Sequence, residues 1–390
     1  MVSAMSRPLN PVFAGVPTTI FTHMSVLAVA HGAVNLGQGF PDTDGPLGVR
    51  EAAARALVEG PNQYALMRGL PALRTAIAAH AAARYGLGYD PETEIVVTCG
   101  ATEAIVAALF AVARPGGEVV LVEPTYDSYR PIAEAAGLTV KSVVLSPPDW
   151  GLTEAALNAA ITERTAAILI NSPQNPIGRV LTREELESVA QAAVRTDAVV
   201  ICDEAYEHLA YEAPHIPLAT LPGMRERCLR IGSAGKIFSL TGWKIGWLAG
   251  PAALMDAVAK AHQFLTFAIP GALQAGVAHG LGHEMDFPAG LRDRLRANRD
   301  FLAAGLSRLG FDVLPCEGTY FLVAGIAGLT EEKDVAYAER LVREAGVAAI
   351  PLSAFFRDGT CDRYLRFVFC KKKQVLEEAL ARLKRYLQKP

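Results

Sequence analysis

The 390-residue chain is short of the features that mark specialised classes of protein. Its six cysteines (Cys99, Cys202, Cys228, Cys316, Cys361, Cys370) contain no CxxC pair and no regular spacing. That excludes a disulfide scaffold or zinc ribbon and suits reduced thiols in a cytoplasmic protein. No surplus of positive charge exists: 37 Lys and Arg face 40 Asp and Glu, for a net charge of -3. Neither nucleic acid nor an anionic membrane is an expected partner. The one run of like charge, Lys371-Lys372-Lys373, precedes a helical pattern and reads as a solvated face. The longest apolar run, Ala104 to Ala113, is about half of what a bilayer span needs. The N-terminus lacks a charged head followed by an apolar stretch, so no signal peptide is expected. Gly37-Gln38-Gly39 lacks the strand-turn-helix setting of a dinucleotide fingerprint. His279 and His283 lie four apart, but no third ligand is spaced to join them, and no metal is expected. There is no internal repeat.

What is present is a hydrophobic chain, 51% apolar, with a strong alternation of element types. "EIVVTCG", "EVVLVEP", "TVKSVVL", "AAILINSP", "AVVICDEAY" and "CLRIGSAGK" read as strands. Between them Thr102–Val112, Tyr126–Ala136, Glu154–Ala160 and Arg183–Val194 read as helices. This predicts an α/β protein whose mostly parallel central sheet is flanked by helices on both faces. After about Pro288 come a long charged helix, the hairpin-like "FDVLPCEGTYFLVAG", helix Glu332–Ala345, strands "VAAIPLS" and "YLRFVFC", and a closing helix, Lys373–Leu387. The expected organisation is a large domain over residues 46–284. A smaller α+β domain joins residues 285–390 to a loop-rich arm, residues 1–45.

Polar, glycine-bracketed residues recur just past the predicted strands, where open parallel sheets bind ligands. Gly100-Ala101-Thr102 opens a helix whose free N–H groups attract an anion. Ser233 adds a hydroxyl and Lys244 a point charge. Asp203, at a buried strand end, needs a cation or a donor to stay ionised. Lys236 lies in "SAGKIFSLTGWKIGW", a segment that otherwise reads as buried, and needs a reason to leave water. Covalent attachment as an imine supplies one. A ligand with a phosphate, a protonatable ring nitrogen and an aldehyde between them meets all these demands. That ligand is pyridoxal phosphate.

With "NSPQNPIG" and "DEAYEHL" alongside, the chain resembles the class I/II, fold type I, pyridoxal-phosphate-dependent aminotransferases, from "NLGQGFPD" to "YLRFVFCK". The look-alikes are the kynurenine/glutamine, methionine and N-succinyldiaminopimelate aminotransferases. The resemblance implies Lys236 as the Schiff-base lysine, Asp203 on the pyridinium nitrogen, and Tyr206 and Asn175 on the ring 3′ oxygen. It implies Ala101, Thr102, Ser233 and Lys244 as the phosphate cup and Tyr126 as a stacking ring. Arg366 would grip the substrate α-carboxylate, helped by Asn175 and the backbone of Gly39. Tyr64 would reach the phosphate of a neighbouring subunit, so a homodimer with shared sites is expected.

The implied function is a ping-pong transfer of an amino group from an L-amino acid to a 2-oxo acid such as 2-oxoglutarate. A β-eliminating C–S lyase shares the fold and nearly every site residue, and the motifs do not separate the two. A cofactor-sensing transcription regulator would need an N-terminal DNA-binding module, for which the pattern leaves no room. "HQFLTFAIPGALQAG" resembles the segment that the partner subunit contributes to the side-chain pocket; it holds Phe267 and Ala268 but no arginine. That favours neutral or aromatic donors such as methionine, glutamine or phenylalanine over aspartate, makes kynurenine doubtful, and leaves N-succinyldiaminopimelate open.

Overall fold

A computed structural model of the chain describes residues 9–388. Seven strands form the main sheet: β1 Ile95–Cys99, β2 Glu118–Glu123, β3 Thr139–Val144, β4 Thr165–Asn171, β5 Val199–Asp203, β6 Cys228–Ser233 and β7 Ile245–Ala249. Their order is β1-β7-β6-β5-β4-β2-β3. All neighbours from β6 to β3 pair in parallel, whereas β7 runs antiparallel between β1 and β6. Strand-helix alternation does not reveal that reversal. The link from β6 to β7, residues 234–244, holds only two short helical turns, too little for a crossover helix.

The near-continuous hydrophobicity of these strands has a direct cause. Val119 and Leu121 enter one core, while Val120 and Val122 enter the other. Alternate side chains leave opposite faces of a strand, and both faces are covered, so each must be apolar. Helix α1, Ile20–Ala30, lies in the N-terminal arm; α2 is Pro71–Tyr85, α3 Gly100–Val112 and α4 Ala252–Leu265. Between β2 and β3 the helix is shorter than its pattern: it spans Tyr129–Ala135, and Tyr126 stands in the loop before it. Helix α1 corrects the reading of the arm as loop. Its Thr19 cap accepts a hydrogen bond from the Thr22 N–H at 3.3 Å, a local signal hidden among flanking prolines and glycines.

A second sheet is antiparallel: β8 Asp312–Val313, β9 Phe321–Gly325, β10 Ile350–Pro351 and β11 Tyr364–Val368, in the order β10-β11-β9-β8. Helices α5, Asp286–Arg308, and α6, Lys373–Leu387, pack together so closely that a Cβ on Gly305 would lie 2.3 Å from Leu380 Cδ1. The arm joins this unit through parallel pairing of Val34–Asn35 with Val347–Ala348. Among the described residues no helix is long and apolar enough to cross a membrane.

Candidate active site

Strand register decides which residues meet. Asn171 lies level with Asp203, Asp203 with Ile231, Ser233 with Gly246 and Cys99 with Ile245. The carboxyl ends of β1, β4, β5 and β6 therefore share one edge. Because β7 runs the other way, Lys244, just before its start, arrives at the same edge. A cavity of about 330 Å³ opens there; every cofactor and carboxylate candidate named from the sequence lines it except Tyr64, and Phe267 and Ala268 are also not among its lining residues.

One end of the cavity is built for an anion. Gly100 takes a φ of +68° at the first turn of α3, and a Cβ there would meet Lys244 Cε and Nζ at 3.3 Å. Gly246 backs this turn so tightly that its own Cβ would lie 2.6 Å from the Gly100 carbonyl carbon. Ser233 is buried, and Lys244 makes no ion pair among the described residues. Lys244 also holds a φ of +54°, a left-handed backbone that a non-glycine residue adopts rarely. Helix N-terminus, hydroxyl and free ammonium thus line the same cavity. Tyr126 lines the same part of the cavity, and burial pushes its phenol up to about 12.

Asp203 sits at the opposite end. Burial raises its pKa, and the Tyr129 hydroxyl, donating to Oδ2 at 2.5 Å, opposes that rise together with the Ala205 N–H at 3.2 Å to Oδ1. Tyr129 was missed in the sequence because its helical pattern accounts for it as packing. The loop after Asp203 is held from behind. Arg230 donates to Glu204 at 2.8 Å, Tyr85 donates to Glu207 at 2.6 Å, and the Nε2 atoms of His80 and His208 lie 3.0 Å apart. His80, Glu207 and His208 form the one metal-compatible cluster found among the described residues, and His279 with His283 does not belong to it. Tyr206, fixed by this loop, has its pKa raised by burial.

Lys236 and Arg366 are two further cations lining the cavity. Burial, with Lys244 adding to it, pulls the Lys236 ammonium down to about 8. Its Nζ donates to the Tyr320 hydroxyl at 2.8 Å, and that hydroxyl donates to the Gly39 carbonyl at 2.7 Å. Arg366, on β11, is 1% exposed. It donates to Asn175 Oδ1 and to the Gly37 carbonyl, each at 2.8 Å, and its Nε has no partner. The rings of Phe321, Phe21 and Phe355 surround the guanidinium at 4.2, 5.1 and 5.0 Å from their centroids. Burial lowers its pKa to about 10, and among the described residues no carboxylate pairs with it. Such a cation is a site waiting for an anion. Tyr64 is elsewhere, 87% exposed, with only its edge contact to Phe267 at 5.4 Å.

The chain matches the family "Aminotransferase class I and II" over residues 32–383. It belongs to the class I and II aminotransferases. It is 46% identical over 385 residues to a probable N-succinyldiaminopimelate aminotransferase of Mycobacterium tuberculosis, covering 96% of this chain and 97% of that one. To the methionine aminotransferase of Escherichia coli it is 40% identical over 368 residues, covering 94% and 95%. The solved structure of the M. tuberculosis N-succinyldiaminopimelate aminotransferase superposes with a TM-score of 0.95, covering 97% of this chain and 100% of that one. The aminotransferase is thus a fold type I, pyridoxal-phosphate-dependent transaminase. The residues present fit that cofactor. The anion cradle, the depressed lysine and the buried carboxylate all line one cavity, the set of groups that a phosphate, an aldehyde and a ring nitrogen require.

Proposed function

We propose that this aminotransferase moves an amino group from an L-amino acid with a neutral or aromatic side chain, methionine- or glutamine-like, to a 2-oxo acid such as 2-oxoglutarate. Arg366 carries the reading. A guanidinium buried among three phenylalanines, with no carboxylate paired to it among the described residues, favours a ligand carboxylate as its counter-charge, and its planar fork suits bidentate binding. The Gly39 N–H, which has no partner among the described residues, adds a donor for the same group. Lys236, about one-tenth unprotonated at pH 7 with a pKa of about 8, serves as nucleophile and then carries the proton at the substrate Cα. Ala101, Thr102, Ser233 and Lys244 would hold the cofactor phosphate, Tyr126 its face, Asp203 its ring nitrogen, and Tyr206 with Asn175 its 3′ oxygen. Bound there, pyridoxal phosphate supplies an electron sink for the Cα–H bond electrons. The net exchange trades one amino group for one carbonyl oxygen, so no oxidant is needed, and a single cavity serves both substrates in turn.

Phe21, Ile105 and Phe321 wall the cavity, and among the described residues no cation lines it beyond Lys236, Lys244 and Arg366, which suits a donor with one carboxylate. The 46% identity to the M. tuberculosis protein supports N-succinyldiaminopimelate as the second donor to test. Tyr64, with Leu57, Val58 and Phe264 also well exposed, supports a homodimer in which Tyr64 serves the neighbouring site. All six cysteines are free, in keeping with a cytoplasmic setting. The main sheet lies wholly within residues 46–284 and the antiparallel sheet wholly within 285–390, which supports the two-domain division. A donor panel with 2-oxoglutarate, scored by glutamate formation, tests the reading. Pyruvate and ammonia released from a cysteine conjugate without any oxo acid, and no glutamate from any donor, would replace it with C–S elimination.

A further inference from the structure

Among the described residues the Lys236 amine has one hydrogen-bond partner, Tyr320, a residue no motif pointed to. A phenol has a single O–H and two lone pairs. The Tyr320 O–H is committed to the Gly39 carbonyl, which can only accept, at 2.7 Å. The 2.8 Å contact with Lys236 Nζ is therefore one in which the amine donates. Tyr320 is 1% exposed and meets the Tyr206 ring edge-on, with centroids 5.3 Å apart, so its oxygen has little freedom to turn away. Lys236 Nζ lies 5.4 and 5.5 Å from the Tyr320 and Tyr206 ring centroids.

The backbone before Tyr320 carries a second, independent sign. Thr319 is wholly buried and holds a φ of +64°, an outlier for a β-branched residue. Three bonds keep it there. Its N–H donates to Leu209 at 2.7 Å, its hydroxyl accepts from the Phe321 N–H at 3.1 Å, and its carbonyl accepts from Tyr211. Gly39 fits against the same ring, since a Cβ there would meet Tyr320 Cε2 at 3.1 Å. The strained turn and the glycine together place one hydroxyl between the amine and the loop expected to receive the substrate carboxylate.

We propose that Tyr320 is a positioning residue that anchors the unattached Lys236 amine and ties it to the Gly39 loop. Held by its tip, the four-carbon chain gives up the rotamers that would carry the amine away from the substrate Cα. The anchor also favours the protonated amine, because the phenol oxygen can only accept from it. Around the amine, Lys244 and Arg366 push the same way as burial, and Cys370 and Asp203 push against it. The inference rests on Lys236 being the reacting lysine, and the test separates the two.

Tyr320→Phe removes only the oxygen; Tyr337→Phe, in a buried tyrosine away from the cavity, controls for loss of a buried hydroxyl. Borohydride treatment of each full-length protein loaded with pyridoxal phosphate should add cofactor mass at Lys236. Absence of that mass in the unaltered protein sinks the catalytic reading itself. With the mass present, Tyr320→Phe should lower kcat about 10- to 100-fold with KM changed less than about threefold. The pH midpoint for acylation of the Lys236 amine, read by mass spectrometry on protein stripped of cofactor, should fall by about one unit, and Tyr337→Phe should leave both unchanged. An unchanged midpoint in Tyr320→Phe, or an equal shift in both variants, overturns the anchor and leaves the transaminase reading standing.

Discussion

Two arginines lie on strands at similar depth, and their surroundings are opposites. Arg230, on β6, is 7% exposed; burial works against its charge, but Glu204 and Glu207 overcome it and hold its pKa well above the usual value. Arg366, on β11, is 1% exposed, makes its direct contacts with aromatic rings and neutral oxygens, feels Asp127 without forming an ion pair with it, and falls to about 10. Burial is common to both, so burial does not distinguish structure from function. The missing ion pair does: Arg230 is paired inside the fold with Glu204 and Glu207, and Arg366 has no ion pair among the described residues, which on the proposed reading leaves it for a ligand. Lys236 belongs with Arg366, and the Asp203 loop, braced by Arg230, connects the two regions.

The sharpest break of this contrast removes the reactive member. Lys236→Ala should lower turnover by at least about 10³-fold and abolish borohydride-dependent attachment of the cofactor, read by intact mass. Next, Arg366→Lys should cut kcat/KM about 10²- to 10³-fold for every donor, while the melting temperature holds or rises. Arg230→Met should do the reverse. It should destabilise by about 3–5 kcal/mol, seen in urea unfolding, because Glu204 and Glu207 lose their counter-charge, yet leave kcat of the folded fraction within about threefold. A variant of Arg366 that unfolds, or of Arg230 that folds stably but is inactive, would collapse the distinction.

Two smaller effects sharpen it. With the Lys236 pKa near 8, the rate of cofactor attachment by stopped-flow absorbance should rise about tenfold from pH 7 to pH 9. The same depressed pKa works against the fold of cofactor-free protein below pH 8. Between about 8 and 10.5 the unfolded chain binds more protons at this group, so its contribution to stability improves as pH rises, which urea midpoints would record. Smallest, Tyr129→Phe should weaken cofactor binding by about tenfold, by equilibrium dialysis, through loss of the donor to Asp203.

Much of the site was legible because it is written in short contiguous motifs. Lys236 and Lys244 share one segment with Ser233, and Asp203 and Tyr206 share another, so chemistry and spacing spoke together. Tyr129 and Tyr320 were not legible. Each is an aromatic in an apolar context, and a buried tyrosine packs in the same way whether or not its hydroxyl meets a carboxylate or an amine. Helix α1 escaped because its cap lies amid loop-like residues, and the reversal of β7 because alternation of elements carries no sign of direction.

While Arg366 was named only through the family resemblance, composition, periodicity and local motifs were enough for an α/β chain with an anion cradle and a desolvated lysine. These are properties of residues near one another in the chain, where a few angles and spacings suffice. Strand order, and with it the meeting of Arg366 with Asn175, of Tyr320 with Lys236 and Gly39, and of Arg230 with Glu204, came only with the fold. Those contacts join segments separated by tens to hundreds of residues, and sheet register and core packing alone decide which distant side chains share a cavity.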